Sequence, residues 1–364
     1  MLGWSRRSVL RMAVRPAQDR VDRIVRICYA GLDAAQLRHE FLLRLRRIMT
    51  VDAAFFATVD PSTILMTSVS ADEPLAAATS QFIDNEFGHA DVNKFAELAA
   101  ARNPVSSLDR ATRGERGASA RYREVMAPLH LGDELRVALV SRGRCWGVIC
   151  LHREDSTLGF DQRDLQLIRQ LAPHLAEGLR RAVLAGRDEP AGPPADGPGP
   201  GVVVLDADLA VASASPEAEH WLAQVDDVDW PSTLELPVAV YSAVARVRSM
   251  SATSPPPTVR LRTRAGRWLT VHASQLNGSA GPQTAVVLGP TAPDELNSLL
   301  LDAHGLTPAQ QRVTEQLLRG HSTRQIVDEL HISAYTVQEH LRAAFDKFGV
   351  GSRRELIAAL TQPR

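Results

Sequence analysis

The strongest constraint on the fold lies in the last sixty or so residues, which carry four helix-start signals in close succession. Thr307-Pro308-Ala309-Gln310 places a hydroxyl cap, a proline at the first helical position and a reciprocal side chain three residues on, the pattern of a capping box. Ser322-Thr323-Arg324-Gln325 and Ser352-Arg353-Arg354-Glu355 repeat the arrangement, and a further helix begins near Ser333. Gly320 and Gly349 stand where a chain leaves a helix with positive φ. The apolar residues keep helical spacing: Val313 and Leu317, Ile326 and Leu330, Val337 with Leu341 and Phe345, Leu356 and Leu360. Each helix has one stripe to bury, so the four are expected to pack on one another as an all-α unit over residues 304–364.

The rest of the chain is too long to be an appendage of that unit. Its 364 residues allow two or three domains, each with its own core. A net charge of −1 argues against a protein that coats a polyanion. From His304 onward eight cationic side chains oppose six acidic ones, a field that predicts weak non-specific binding to nucleic acid. Three cysteines, Cys28, Cys145 and Cys150, make no disulfide framework and have no metal-ligand spacing, which points to a reducing, cytoplasmic setting. Residues 1–20 carry Arg6, Arg7, Arg11 and Arg15 around short apolar pieces without a continuous apolar core, and read as a disordered basic tail. No run reaches the eighteen or so apolar residues of a membrane span. The preference for arginine over lysine, with abundant Ala, Gly and Pro, suggests a GC-rich bacterial source.

Residues 185–200 alternate Gly, Pro, Ala and Asp without apolar periodicity and read as a linker. Before it, residues 21–184 begin with a helix carrying Leu37, Phe41, Leu42 and Leu45. A strand follows at Ala53 to Val59, then a strand pair at Leu135 to Val140 and Cys145 to His152 joined by the turn Ser141-Arg142-Gly143-Arg144. An amphipathic helix with Leu165, Ile168, Leu171, Leu175 and Leu179 closes an α/β sandwich. After the linker, residues 201–290 give a strand from Gly201, a short helix opened by Ser215-Pro216, and strands at Arg260 to Thr263, Trp268 to Ala273 and Thr284 to Leu288. Residues 291–303 form a helical connector. The fold class expected is multidomain α+β: a sandwich, a smaller α+β domain and a four-helix unit.

The C-terminal unit resembles the DNA-binding domain of the LuxR/GerE family of bacterial transcription regulators. Leu306, Thr307, Val313, Gly320, Ile326, Leu330, Ser333, Thr336, Val337, His340, Lys347, Gly349, Val350, Arg353, Glu355 and Leu356 match in register. The chain departs from the family at Ala309-Gln310, where Arg-Glu is usual, and at Gln338, where lysine is frequent. The resemblance implies a helix-turn-helix whose third helix enters the major groove and meets base edges with Gln338, Glu339 and Arg342. Gln suits adenine N6/N7, Glu accepts from cytosine N4 and Arg forks onto guanine O6/N7; the competing reading is a plain solvated helix face. Phosphate contacts would come from Ser333, Thr336, Thr323, Arg324, Lys347 and Arg353, with Lys347 and Arg353 foremost. Leu356, Ile357 and Leu360 would pair two copies, unless they serve only the core of one.

The sequence Arg142 to Arg153, followed by Phe160-Asp161-Gln162-Arg163-Asp164 and a leucine-rich helix, resembles a GAF sensory domain. That likeness places a ligand pocket under roughly Glu73 to Leu131, a stretch with His89, Asp91, Arg121, Tyr122 and His130. Residues 201–290 are similar to a PAS domain, without the cysteine-bearing flavin motif and without an isolated haem histidine. No cofactor is required by the sequence, and no Gly-Lys phosphate loop or receiver-type acidic pocket occurs. Some GAF-like domains reduce small sulfoxides with two cysteines. Here Cys145 and Cys150, five apart on one strand, are expected on opposite faces as buried core residues. The resemblances together imply a cytoplasmic, homodimeric, one-component transcription regulator acting on double-stranded DNA with two-fold-related half-sites. A small-molecule ligand and RNA polymerase are further expected partners. The alternatives are a cysteine-dependent reductase and an adaptor whose helix-turn-helix no longer binds DNA.

Overall fold

The computed structural model describes residues 19–155, 158–185, 198–225, 236–250, 256–276 and 281–361. Most of the expected basic tail and of the expected linker lie outside the described residues. The first domain has a five-stranded antiparallel sheet: β1 (Ala53–Val59), β2 (Met66–Ala71), β3 (Val105–Ser107), β4 (Leu131–Ser141) and β5 (Arg144–Glu154), in the order β2-β1-β5-β4-β3. Both faces are covered, because β1, β4 and β5 are buried along almost their whole length. On one face lie α1 (residues 19–27), α2 (Ala34–Leu45) and the 24-residue α6 (Gln162–Ala185). Leu165, Ile168, Leu171, Leu175 and Leu179 form α6's buried stripe, as the periodicity predicts, and pack with Phe41, Leu45, Trp146 and Leu151. On the other face α3 (Thr79–Gly88), α4 (Phe95–Ala100) and α5 (Leu108–Thr112) cover Phe55, Ala57, Val148 and Cys150.

The hairpin between β4 and β5 turns through Arg142 and Gly143, both at positive φ (52° and 75°), the backbone of a two-residue turn that follows strand twist. Just after it the register slips: Leu139 faces Gly147 while Val140 faces Cys145, so Trp146 is an extra residue. This β-bulge overturns one expectation. With one residue inserted, Cys145 and Cys150 fall on the same face of the sheet and join the same core.

The middle domain repeats that strand order. Its β6 (Gly201–Leu205), β7 (Val211–Ala214), β8 (Thr258–Arg262), β9 (Trp268–Leu276) and β10 (Gln283–Pro290) run β7-β6-β10-β9-β8. The helices α7 (Pro216–Leu222) and α8 (Val238–Ser249) cover one face. Neither β7 nor α8 is among the elements predicted from the sequence. Helix α8 is two-sided: Ala239, Val240, Ala243 and Val244 pack on its own sheet, while Val238 enters the first domain's core, with Tyr241 and Ala245 against it.

The connector helix α9 (Pro293–Ala303) is also two-sided. Leu299 and Ala303 belong to the first domain's core, and Leu300 and Leu301 to that of the C-terminal unit. The C-terminal unit is α10 (Pro308–Leu318), α11 (Thr323–Leu330), α12 (Ala334–Phe348) and α13 (Arg353–Thr361). The capping boxes of Thr307 with Gln310 and of Ser322 with Gln325 both form. At α13 the Ser352 hydroxyl accepts from the Glu355 N–H, while the Glu355 carboxylate takes the N–H of Gly351 at 2.7 Å. Among the described residues no helix is long and apolar enough to cross a membrane.

Candidate functional site

Helix α12 is capped by Ser333, whose Oγ accepts the Thr336 N–H at 3.0 Å and pairs with the Thr336 hydroxyl at 2.8 Å. Its inner stripe, Val337, Leu341 and Ala344, is buried against Val313, Leu317, Ile326 and Leu356. The 3.6-residue period then sends Gln338, Glu339 and Arg342 outward, and all three are exposed. Arg342 is 78% exposed and its Nη1 lies 3.5 Å from Glu339 Oε1, a surface pair worth little in stability. Arg324 and Ser333 are also exposed, with Thr323 and Thr336 half-buried. Tyr335 is not among the residues predicted from the sequence. It stands 73% exposed at the first turn of α12, outside the apolar stripe.

Two of the expected phosphate contacts have partners inside the domain. Lys347 Nζ donates to the Gly305 carbonyl at 2.7 Å and to Gln310 Oε1 at 2.8 Å, tying the end of α12 to the start of α10. Burial, then the nearby Arg142, lower its pKa. The Arg353 guanidinium donates to the His321 carbonyl. Leu356 and Leu360, expected to pair two copies, are in the monomer's own core; only Ile357 of the three is half-buried.

The C-terminal unit is docked on the first domain. Asp302 Oδ1 accepts from Arg144 Nε at 2.8 Å and from Gln311 Nε2 at 2.6 Å, and Ser62 Oγ donates to its Oδ2 at 3.4 Å. The hairpin tip adds Arg142 Nη1 to the His304 carbonyl at 3.4 Å, and Arg180 donates to the Ala303 carbonyl. His304 stacks on Phe348 with centroids 3.8 Å apart.

Inside the first domain, the region expected to hold a pocket contains a buried charge network. Arg121 bonds Glu134 Oε2 at 2.9 Å through Nε, and Arg136 bonds Glu86 Oε2 at 2.7 Å while lying over the Phe95 ring at 3.8 Å. Asp91 accepts the Arg121 N–H, the Ser119 hydroxyl and Asn85. Burial alone would raise the Glu134 carboxyl, but Arg121 and Arg136 hold it below the usual carboxylate range. Burial pushes His152 down to about 4 and Cys150 well above the ordinary thiol range. Of the residues noted in the sequence, Asp91 and Arg121 belong to this network, whereas His89 is exposed beside Asp84 and His130 is exposed. Glu86, Glu134, Arg136 and His152 are not among the candidate site residues predicted from the sequence.

The Cys145 thiol is raised to about 12 by burial, so neither strand cysteine is poised as the thiolate that a reductase needs.

A bowl-like cavity of about 530 Å³ lies between the first and middle domains, with Trp146, Trp268, Arg38, Arg260 and Leu299 in its wall.

Residues 304–360 match the family described as bacterial regulatory proteins, luxR family, and residues 33–179 match the GAF domain. No curated protein matches the chain. Among solved structures, the phage VqmA–DPO complex is 17% identical, covering 45% of this chain and 83% of that one, with a TM-score of 0.23. The Vibrio cholera VqmA–ligand–DNA complex is 20% identical, covering 46% and 83%, with a TM-score of 0.21. The E. coli DhaR(N)–DhaL complex is 12% identical, covering 77% and 90%, with a TM-score of 0.25. The chain thus carries a GAF domain over residues 33–179 and, over residues 304–360, a domain of the luxR family of bacterial regulatory proteins.

Proposed function

We propose that the protein is a homodimeric, one-component transcription regulator of the bacterial cytoplasm. Its α12 reads double-stranded DNA, and a signal received by the GAF domain controls it. The observation that carries this reading is the outer face of α12, where Gln338, Glu339 and Arg342 stand exposed over a buried Val337-Leu341-Ala344 stripe in a luxR-family domain. These three offer donors and acceptors matched to major-groove edges, while Ser333, Thr336, Thr323 and Arg324 flank them for phosphate. Tyr335 joins the surface as a contact to backbone or thymine methyl.

The middle domain relays the signal as a PAS-like module. Its five strands follow the order of the GAF sheet, with helices on one face. Pairing of two copies through α13 rests on Ile357 and its exposed neighbours, because Leu356 and Leu360 are already in the core. Control works by population shift between the docked arrangement and one in which the two readers are free. RNA polymerase is the partner through which bound regulator acts.

The test is selection of bound sequences from random duplex DNA by the full-length protein, repeated with Gln338→Ala and Arg342→Ala at two salt concentrations. The expected outcome is a site with two-fold-related halves about one helical turn apart, at which each change relaxes discrimination at its own position. Enrichment of a single asymmetric half-site overturns the dimer reading. No enrichment by a folded protein in any salt favours an adaptor.

A further inference from the structure

We infer that Glu134, Cys150 and His152 form a binding site for a borderline-soft divalent metal ion such as Zn²⁺, enclosed within the GAF domain. All three are 0% exposed, and each offers a ligand atom within 4.8 Å of the other two. The sheet places them. Glu134 on β4 is the register partner of His152 on β5, and Cys150 precedes His152 by two residues, so the strand period puts all three on one face. Two residues is not a loop or helix metal spacing, which is why the sequence reading finds no metal site there.

A second observation points into the same spot. Among the described residues neither ring nitrogen of His152 has a hydrogen-bond partner. A neutral imidazole always carries one N–H and one lone pair, and leaving buried polar atoms unsatisfied costs about 1–3 kcal/mol each. A metal would take the imidazole lone pair, Oε1 and the sulfur together. Tetrahedral zinc, with bonds of about 2.0–2.3 Å, needs ligand atoms about 3.5 Å apart, which small side-chain shifts reach from the present separation.

The surroundings are those of a metal site. Glu134 Oε2 is held by Arg121 at 2.8 Å, which fixes the carboxylate's orientation and leaves Oε1 between Arg136 Nε at 3.7 Å and His152 Nε2 at 3.9 Å. Without an ion the network is even in charge, with Arg121, Arg136 and Lys94 beside Glu86, Asp91 and Glu134, so a divalent ion brings net positive charge that the site must offset. Binding replaces the Cys150 S–H bond by an S–metal bond and releases one proton to solvent, so the thiolate cancels one of the two incoming charges. A sulfur–nitrogen–oxygen set selects against Mg²⁺ and Ca²⁺, which take all-oxygen sets. Three protein ligands leave the fourth position of a tetrahedral ion to a water or another small donor. The inference therefore deepens the sensory reading of this domain, although the site itself stands on its own geometry.

The test uses full-length protein stripped with a chelator and titrated with Co²⁺. One equivalent is expected to produce a thiolate-to-cobalt charge-transfer band in the near ultraviolet and the intense visible bands of a four-coordinate ion, with Zn²⁺ displacing it. Cys150→Ala abolishes the charge-transfer band, while Cys145→Ser and Cys28→Ser keep it. No band, or a band that survives Cys150→Ala, overturns the proposal. Because a change at a fully buried residue can unfold the domain, X-ray absorption of the wild-type zinc-loaded protein provides a second measurement. One sulfur at about 2.3 Å with nitrogen and oxygen at about 2.0–2.2 Å is expected; a shell with no sulfur, or with two, overturns the site. Neither readout involves DNA, so failure here is distinct from failure of the DNA-reading proposal.

Discussion

Asp60 and Arg260, 200 residues apart in the chain, are joined three ways: the Asp60 carboxylate accepts from the Arg260 backbone N–H at 3.0 Å, from Nε at 2.7 Å and from Nη2 at 2.6 Å. The same guanidinium donates through Nη1 to the Glu295 carbonyl on α9 and through Nη2 to Ser62, each at 2.7 Å, and Ser62 in turn reaches Asp302. One side chain of the middle domain therefore fastens the GAF domain and the connector helix together. Asp60 is 1% and Arg260 6% exposed, so the pair is screened little by solvent or salt.

Removing one member of such a pair leaves an uncompensated buried charge. Arg260→Met is expected to cost the full-length protein about 3–5 kcal/mol, and Asp60→Leu combined with Arg260→Met to cost much less, since neither ion is then stranded. Urea unfolding midpoints measure both; a double variant as unstable as the single one contradicts the argument.

Arg144 is the cationic partner of the buried Asp302 where the reader docks. Arg144→Ala is expected to loosen the docked arrangement and raise affinity for the selected DNA about five-fold or more, the lower end of ordinary coupling between sites. Fluorescence anisotropy at fixed salt reads this directly. Unchanged or weaker binding would mean that the docked form is not the restrained one.

Lys347 lies where the family has lysine, yet its ammonium is engaged by Gly305 and Gln310. Lys347→Met is expected to lower stability by about 1.5–3 kcal/mol, the range for hydrogen bonds to a charged group. The slope of log affinity against log salt should change by well under the roughly 0.9 that one lost phosphate contact gives. Arg324→Ala should show the opposite pattern.

Acid stability should depend on Glu177. Arg180 first, then Ser141 and Arg181, hold its carboxyl down at about 2, against an ordinary 4.5. A carboxylate depressed in the folded state contributes stability that is present above the ordinary value and is lost as pH falls from about 4.5 toward 2. Thermal melts across that window should lose less with Glu177→Gln than with the native protein. Equal slopes would show that the contacts are not kept in solution.

Gly305, at φ +73°, is where the hairpin tip meets the reader: a Cβ there would lie 2.4 Å from Arg142 Cδ. Gly305→Ala is expected to destabilise by more than about 1 kcal/mol, combining left-handed strain with a clash. Adding Arg142→Ala relieves the clash and not the strain, so differential scanning calorimetry should show partial recovery of Tm.

The capped helices of the C-terminal unit, the α6 stripe and the first strand were legible because cap chemistry and periodicity act locally. Helix α8 was not, because a helix buried on two sides against two domains shows no clean apolar stripe. The Trp146 bulge was hidden for another reason. A register slip is a property of two strands, so counting along β5 alone put Cys145 and Cys150 on the wrong faces. Glu134, Arg136 and His152 look like the solvated positions of an alternating hairpin, and only the layer of α3, α4 and α5 over that face buries them. On α12 the helical period alone sends Gln338, Glu339 and Arg342 outward, whereas Leu356 and Leu360 show that one apolar stripe reads alike whether its partner is the same chain or another.

Helix α9 gives Leu299 and Ala303 to one core and Leu300 and Leu301 to another. The border between sensor and reader is accordingly no point in the sequence but a line drawn lengthwise down a helix. A graft that joined this GAF domain to a foreign reader anywhere before α9 would discard half of a shared wall. The connector is masonry common to two rooms, and neither can be rebuilt while ignoring which side each leucine faces.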